Sequence, residues 1–189
     1  MKHFALVSFI GVAILFNAAC IPSLYPLYTE SDLVLDDSLI GVWIDKSDGE
    51  TWTLSKGNQS AYKLLHVDSK RGRATYEAHL VKVEDELFLD VVPVKSDIGC
   101  NSLCADRFIA THTFLRILKK DSALQISYLE PRWLKDHLAS KPESIRHQKV
   151  NGEIVLTSSP KETQAFLLAH INDREAFSTP GEFTRRSTR

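Results

Sequence analysis

The residues of this chain that could do chemistry are three cysteines and seven histidines, and they form no familiar catalytic motif. The sequence has no G-x-S-x-G nucleophile elbow, no H-E-x-x-H zinc motif, no phosphate-binding glycine loop and no dinucleotide fingerprint. His112 lies between two threonines in a predicted strand. The strands of this chain are expected to form a barrel, as argued below, and a histidine inside a barrel can act as a base or contact a ligand. The sequence shows no nucleophile to work with it. We therefore predict no catalytic residue, and a hydrolase-like enzyme is the weakest of three functional hypotheses.

Cys100 and Cys104 are separated by three residues in a polar, loop-like segment, DIGCNSLCADR. In an exported protein the oxidising compartment favours a disulfide between them. A turn or a single helical turn would bring the two residues within bonding range. The alternatives are two free thiols, or a metal site that adds His112. The metal site lacks a fourth ligand at a familiar spacing, so the disulfide is favoured and no metal or cofactor is predicted.

Cys20 follows an N-terminal sequence that is typical of a secretory signal. A basic start leads into an apolar run from Phe4 to Phe16, which is shorter than the roughly 20 residues needed to span a bilayer. Two alanines precede Cys20, and this arrangement resembles the lipobox of bacterial lipoproteins, in which the cysteine is acylated and becomes the first residue of the mature chain. Asn17 replaces the usual leucine, so ordinary cleavage and an uncleaved anchor remain alternatives.

This N-terminal pattern predicts the location of the protein. Residues 1–19 form the signal peptide, and residues 20–36 form a lipidated N-terminus and tether; two or three acyl chains anchor a protein stably. Ile21 lacks the acidic character that retains lipoproteins at the inner membrane, which favours the outer membrane, facing the periplasm, if the host has two membranes. The 23 basic and 24 acidic residues nearly balance, so we do not expect a nucleic-acid partner.

The remainder of the chain predicts a mainly β fold in a single domain over 37–180, followed by a basic tail over 181–189. The clearest period-two alternation runs from Arg73 to Val83, where alternate residues face a core and the others, including His79, face water. Other predicted strands cover 41–43, 50–55, 60–67, 85–92, 110–118, 123–129, 145–150 and 153–157. Asn151-Gly152 predicts a tight hairpin turn. We expect an antiparallel lipocalin-like barrel or a strongly curved meander.

Two helices are predicted in the C-terminal part of the domain, one short and one longer. The first begins at Pro131 and ends before Pro142. The second begins after Ser159, which forms a capping box with Glu162.

Two resemblances support this fold. Gly41-Val42-Trp43 at the head of a meander is similar to the G-x-W signature of lipocalins, whose tryptophan plugs the closed end of the barrel. The segments CIPSLYPLYTESDLV, LIGVW, ETWTL, AHLVK, LFLD, HTFLR, WLK and a late helix with AFL resemble a family of bacterial lipoproteins of unassigned function. This resemblance implies a lipid-anchored, lipocalin-like β domain with Cys20 as its acylated residue, and it transfers no catalytic residues.

Aromatic residues in the predicted strands could line a cavity for an apolar ligand. The candidate lining residues are Trp43, Trp52, Tyr76, His112 and Phe114. Small barrels usually fill their interior with side chains, and this alternative is favoured. The main hypothesis is a lipid-anchored envelope protein that binds a lipid or an apolar small molecule and attaches to the membrane through Cys20. The second is a structural or protein-interaction module of the envelope with a filled barrel.

Overall fold

A computed structural model describes residues 20–68, 70, 72–94, 108–120 and 122–186. The predicted signal peptide and the Cys100–Cys104 pair lie outside these residues. Eleven strands are formed within them: β1 (Leu33–Val34), β2 (Gly41–Asp45), β3 (Thr51–Lys56), β4 (Tyr62–Asp68), β5 (Gly72–Val83), β6 (Glu86–Pro93), β7 (Thr113–Lys120), β8 (Ala123–Tyr128), β9 (His147–Val150), β10 (Glu153–Leu156) and β11 (Gly181–Arg185). Two α-helices, α1 (Pro131–Ser140) and α2 (Pro160–Ala169), separate β8 from β9 and β10 from β11.

Eight of the strands close into an antiparallel barrel. Strands β2 to β8 follow one another as a meander, β11 lies between β8 and β2, and β5 also pairs with β6. The predicted barrel is therefore confirmed. Strand β1 pairs with β5, and β9 and β10 form a separate hairpin. Asn151 and Gly152 both have positive φ angles, 51° and 87°, as a tight type I′ turn requires.

Alternate residues of each strand point into the barrel interior. Ala78 and Leu80 of β5 lie in this core, as the alternation predicts. Trp43 is buried at one end of the barrel, where its Nε1 donates a hydrogen bond to the carbonyl of Leu39 (2.8 Å). Arg185 stacks over the Trp43 ring at 5.3 Å. This end of the barrel is closed.

The predicted basic tail over 181–189 is wrong for its first five residues. They form β11, which pairs with β2 on one side and β8 on the other and so completes the barrel. Phe183 is buried in the barrel core, while Glu182 is exposed at the surface. One apolar residue between polar neighbours gives too weak an alternation for this strand to be recognised in the sequence.

A second apolar layer covers one outer face of the barrel. The outward side chains of β5 and β6, among them Val81 and Phe88, pack beneath both helices, the β9–β10 hairpin and the N-terminal segment. The prediction that this face of β5 is exposed to water is confirmed at Arg73 and Glu77 and wrong at His79, which is only 9 % exposed. The alternation identified the inward face of β5 correctly, but it could not reveal that other elements cover the opposite face.

The segment 20–29 is part of this layer, so the predicted tether over 20–36 is not a separate linker but packs against the barrel. Ser23 pairs with His112 and with Leu156, and Leu27 is fully buried. Burial of Ile21 and Leu27 favours this packed conformation, although the prolines prevent a regular strand or helix.

The helices begin where the sequence predicts. Both have ten residues, so neither is the longer one. Ser159 and Glu162 form the predicted capping box at the start of α2. Among the residues that the structure describes, no helix is long and apolar enough to cross a membrane.

Candidate functional site

The open end of the barrel contains a cavity of about 660 Å³. The cavity is surrounded by the ends of β2, β4, β6 and β8 and by the starts of β3, β5, β7 and β11. We call this end the mouth. Its walls are mainly aromatic and aliphatic, with Trp52, Tyr76, Tyr128 and Phe183 as the aromatic side chains. The volume lies within the roughly 300–1,000 Å³ of small-molecule sites in proteins.

The two halves of the barrel differ in how their interiors are filled. At the closed end, large side chains, including Trp43, Leu54 and Ile117, leave a gap of only about 10 Å³, which is about the space of one water molecule. At the mouth, several lining residues are small, among them Ala74, Thr113 and Gly181. The expectation of a filled interior therefore holds for the closed half and is wrong for the mouth, because these small residues leave the space empty.

A partly buried pair of polar side chains lies on the wall of the cavity. The Glu50 carboxylate accepts a hydrogen bond from Trp52 Nε1 (2.6 Å) and pairs with His66 Nε2 at 2.5 Å. The bond to His66 is the largest cause that lowers the pKa of Glu50, and the bond to Glu50 raises the pKa of His66. Glu50 therefore fixes the Trp52 ring and, with His66, forms a polar patch on the otherwise apolar wall.

Other charged residues also line this cavity. Asp45 and Asp68 are acidic, and Arg73 is basic. The lining thus combines a largely apolar interior with a few polar groups, which is the usual composition of a site that binds an apolar molecule and orients its polar end.

Cys20 lies at the mouth, beside the aromatic wall. It lines the cavity, and burial raises the pKa of its thiol. Burial is the main cause that raises the pKa of Tyr76 and Tyr128, and the nearby Cys20 adds to it in both cases. On its other side, Cys20 lines a groove of about 400 Å³ together with Pro131 at the start of α1 and Gly152 of the β9–β10 hairpin. Cys20 therefore lies between two open spaces.

The five predicted lining residues lie in three different environments. Trp52 and Tyr76 line the mouth cavity. Trp43 lies in the closed half. Phe114 belongs to the apolar layer outside the barrel, so its prediction as a lining residue is wrong. Its strand register turns it outward, since its neighbours Thr113 and Leu115 face the cavity.

His112 also lies outside the barrel, which corrects the prediction of an interior histidine. Its Nδ1 is 2.7 Å from Asp90 Oδ1, and its backbone pairs with Ser23. Asp90 Oδ2 accepts a hydrogen bond from the backbone N–H of Leu27 (2.7 Å). Since Asp90 is almost completely buried, this pair holds the N-terminal segment against the barrel.

This pair does not form a hydrolytic site with Ser23. The Ser23 hydroxyl donates to the carbonyl of Tyr25 (2.7 Å), and neither His112 nor Asp90 lines the mouth cavity or the groove. Among the residues that the structure describes, no group of three or more metal-binding side chains is arranged to hold an ion.

An aromatic cluster on the helices was not predicted from the sequence. Trp133 and His137 of α1 stack at 4.8 Å, and His170 at the end of α2 lies 4.8 Å from both rings. Burial lowers the pKa of His137 and of His170. The four-residue spacing of Trp133 and His137 is a signal that they share one helix face, but the contact between the helices is long-range.

The fold and the cavity together define the class: a closed, eight-stranded up-and-down barrel, plugged at one end and open at the other to a cavity of ligand-binding size. No family model, no curated protein and no solved structure matches the chain. The resemblance to bacterial lipoproteins therefore stays a prediction.

Proposed function

We propose that this protein is a lipid-anchored lipoprotein of the cell envelope whose barrel binds a lipid or another apolar small molecule, without catalysing a reaction. The observation that carries the proposal is the cavity of about 660 Å³ at the mouth. Trp52, Tyr76 and Phe183 offer it apolar surface, and the Glu50–His66 pair offers polar contacts to one end of a ligand. Such a cavity is suited to an amphiphile, since burial of each methylene group contributes about 0.8 kcal/mol.

The location is part of the same proposal. Acylation of Cys20 would anchor the protein in the membrane, and Ile21 at the next position favours the outer membrane, facing the periplasm, in a host with two membranes. A disulfide between Cys100 and Cys104 is expected in that oxidising compartment. Mass mapping of non-reduced peptides tests it: a linked peptide supports the disulfide, and two alkylatable thiols argue against it.

Two alternatives are less well supported. An envelope interaction module was expected to have a filled barrel, whereas the mouth half of this barrel is open. A hydrolase would need a histidine and a nucleophile in an accessible cleft. The strongest candidate, the His112–Asp90 pair, instead holds the N-terminal segment.

Native mass spectrometry tests the binding proposal. The mature protein is extracted gently from membranes, its mass is measured under native conditions, and bound molecules are then released by denaturation. We expect a lipid or apolar molecule bound in stoichiometric amount. A protein that is isolated empty, and that takes up no acyl-chain probe when titrated, would argue against the proposal.

A further inference from the structure

The N-terminal segment is bonded to the domain on both of its edges. Backbone hydrogen bonds join Ser23 to His112 in both directions (2.9 and 2.8 Å), and Leu156 joins Pro22 and Leu24 (2.9 Å each). Further along the segment, Leu27 is bonded through its N–H to Asp90 and through its carbonyl to Gln164 (2.7 Å each). Because this pairing begins at Pro22, Cys20 lies within about 10 Å of a fixed strand.

This short distance fixes where the membrane anchor leaves the domain. Cys20 itself lines the mouth cavity and the adjoining groove. An acyl group on Cys20 would emerge there. An anchor on Cys20 itself leaves no linker between the mouth and the bilayer, so it restricts how the barrel is oriented.

Several exposed apolar side chains lie beside residues that line the mouth cavity or the groove. Among the described residues, seven large apolar side chains are exposed. Val67 lies between His66 and Asp68, which line the cavity, and Val150 follows Lys149, which lines the groove. Leu24 and Tyr25 follow closely after Pro22, another residue of the groove. Leu35 lies at the other end of the barrel, since the next residue, Asp36, pairs with Lys119 at the closed end.

Charge at the groove also suits a lipid surface. Lys135 of α1 and Lys149 of the β9–β10 hairpin line the groove beside Cys20, together with one carboxylate, Glu153. Two ammonium groups beside an anchor attract the phosphates of anionic headgroups.

We propose that the mouth of the barrel lies against the membrane, and that its ligand is a membrane lipid whose acyl chain enters the cavity directly from the bilayer. This inference rests on the proposed function, since it takes the anchoring at Cys20 and the binding cavity from it. It adds the orientation of the domain and the source of the ligand. Exposure of an apolar chain to water is unfavourable, and a chain that enters the cavity directly from the bilayer avoids it.

The orientation is tested with two matched labels on the full-length protein. Val150 and Leu35 are similarly exposed, 52 % and 59 %, but Val150 lies next to Lys149 at the groove that Cys20 lines, whereas Leu35 lies near the closed end of the barrel. V150C and L35C are made in a C100S/C104S background, labelled with a fluorophore and reconstituted in phosphatidylethanolamine–phosphatidylglycerol vesicles that contain a nitroxide-headgroup lipid. We expect the Val150 label to be quenched several-fold more than the Leu35 label. Equal quenching, or stronger quenching at Leu35, would overturn the orientation.

The source of the ligand is tested with the cavity tryptophan. In vesicles that contain a brominated-acyl phosphatidylcholine, acyl chains that enter the cavity quench Trp52. We expect quenching in the wild type and in W133F, which changes a tryptophan on α1, and loss of that quenching in W52F. Two results would overturn entry from the bilayer. One is quenching that persists in W52F and disappears in W133F, and the other is the absence of quenching in the wild type.

Two results separate this inference from the proposed function. If the wild-type protein does not sediment with vesicles, the anchoring itself is wrong and the inference falls with it. If the protein sediments and carries a copurified apolar ligand, but the labels or Trp52 behave otherwise than expected, the proposed function stands and the inference is wrong. Protection of the Val150 label in native membranes without quenching by nitroxide lipid would indicate a protein partner on this face and would also overturn it.

Discussion

Asp90 and His112 lie 2.7 Å apart on the outer side of the barrel, beneath the N-terminal segment that they help to hold. Asp90 is acceptor for both His112 and the backbone of Leu27, and it is only 1 % exposed. A charged acceptor that satisfies two partners in a buried position stabilises the structure, but its removal leaves both partners without a bond. This pair thus links the N-terminal segment to β6 and β7.

Replacing Asp90 with alanine should destabilise the protein by about 3 kcal/mol, because the Leu27 N–H and the His112 ring lose their buried acceptor. Urea unfolding followed by circular dichroism measures this change. Asp90→Asn, which keeps one acceptor oxygen, should cost less. Asp85→Ala, at an exposed turn position before β6, serves as the control and should change stability by no more than about 0.5 kcal/mol. Equal effects of D90A and D85A would contradict the role of Asp90.

Filling the mouth cavity should weaken binding without unfolding the barrel. Ala74 lines the cavity, so Ala74→Phe places a ring in the space that a ligand would occupy. We expect the affinity for a fluorescent acyl-chain probe to fall roughly tenfold or more, which corresponds to about 1.4 kcal/mol. Lys63→Phe, at an exposed position on β4, is the matched control and should bind the probe as the wild type does. Unchanged binding in A74F would show that the probe binds elsewhere.

His79 should make the protein less stable in mild acid. Its ring lies 4.6 Å from the Tyr28 ring, and its Nδ1 is buried without a hydrogen-bond partner among the described residues. Burial lowers the pKa of His79, and the charge of His112 acts in the same direction, while Glu77 and Asp90 act against it. Because the unfolded chain then binds a proton more readily, the free energy of unfolding should decrease as the pH falls below about 6.5.

His79→Phe tests this pH dependence, because phenylalanine keeps a ring beside Tyr28 and cannot be protonated. Urea unfolding between about pH 7 and pH 5 should give a smaller loss of stability in the variant than in the wild type. An identical loss in both proteins would show that other groups cause the acid sensitivity.

Replacing Cys20 with serine should release the protein from membranes. Serine is nearly isosteric with cysteine but does not accept the acyl group, so the fold is retained while the anchor is lost. Fractionation of cells into soluble and membrane fractions, followed by immunoblotting, measures the change. Double replacement of Cys100 and Cys104 by serine is the control and should leave the protein in the membrane fraction. Unchanged membrane retention of C20S would contradict acylation.

The sequence predicted most of the barrel because its information there is local. Alternation in β5, the Asn151-Gly152 turn and the capping box at Ser159 each depend on a few neighbouring residues. Trp43 was assigned to the closed end from a short motif, and it is buried there.

The features that were missed depend on contacts between distant parts of the chain. The N-terminal segment has no periodic pattern, and its bonds to His112 and Leu156 follow from the tertiary structure alone. His79 looked solvent-exposed because nothing near it in sequence indicates the cover that Tyr28 provides. The cavity likewise depends on how residues from eight strands are arranged around it. A small residue such as Ala74 in one strand therefore does not predict an empty space beside it.

The pairing of the last strand with the first strand of the barrel has a consequence for biogenesis. Trp43 of β2 and Arg185 of β11 are register partners, so β2 and β8 keep unpaired edges until nearly the whole chain has been made. Contacts between residues so far apart in sequence form slowly, and unpaired edges are prone to aggregate. A chain that crosses a membrane with its N-terminus leading would therefore close its barrel only after residue 185 has arrived on the far side.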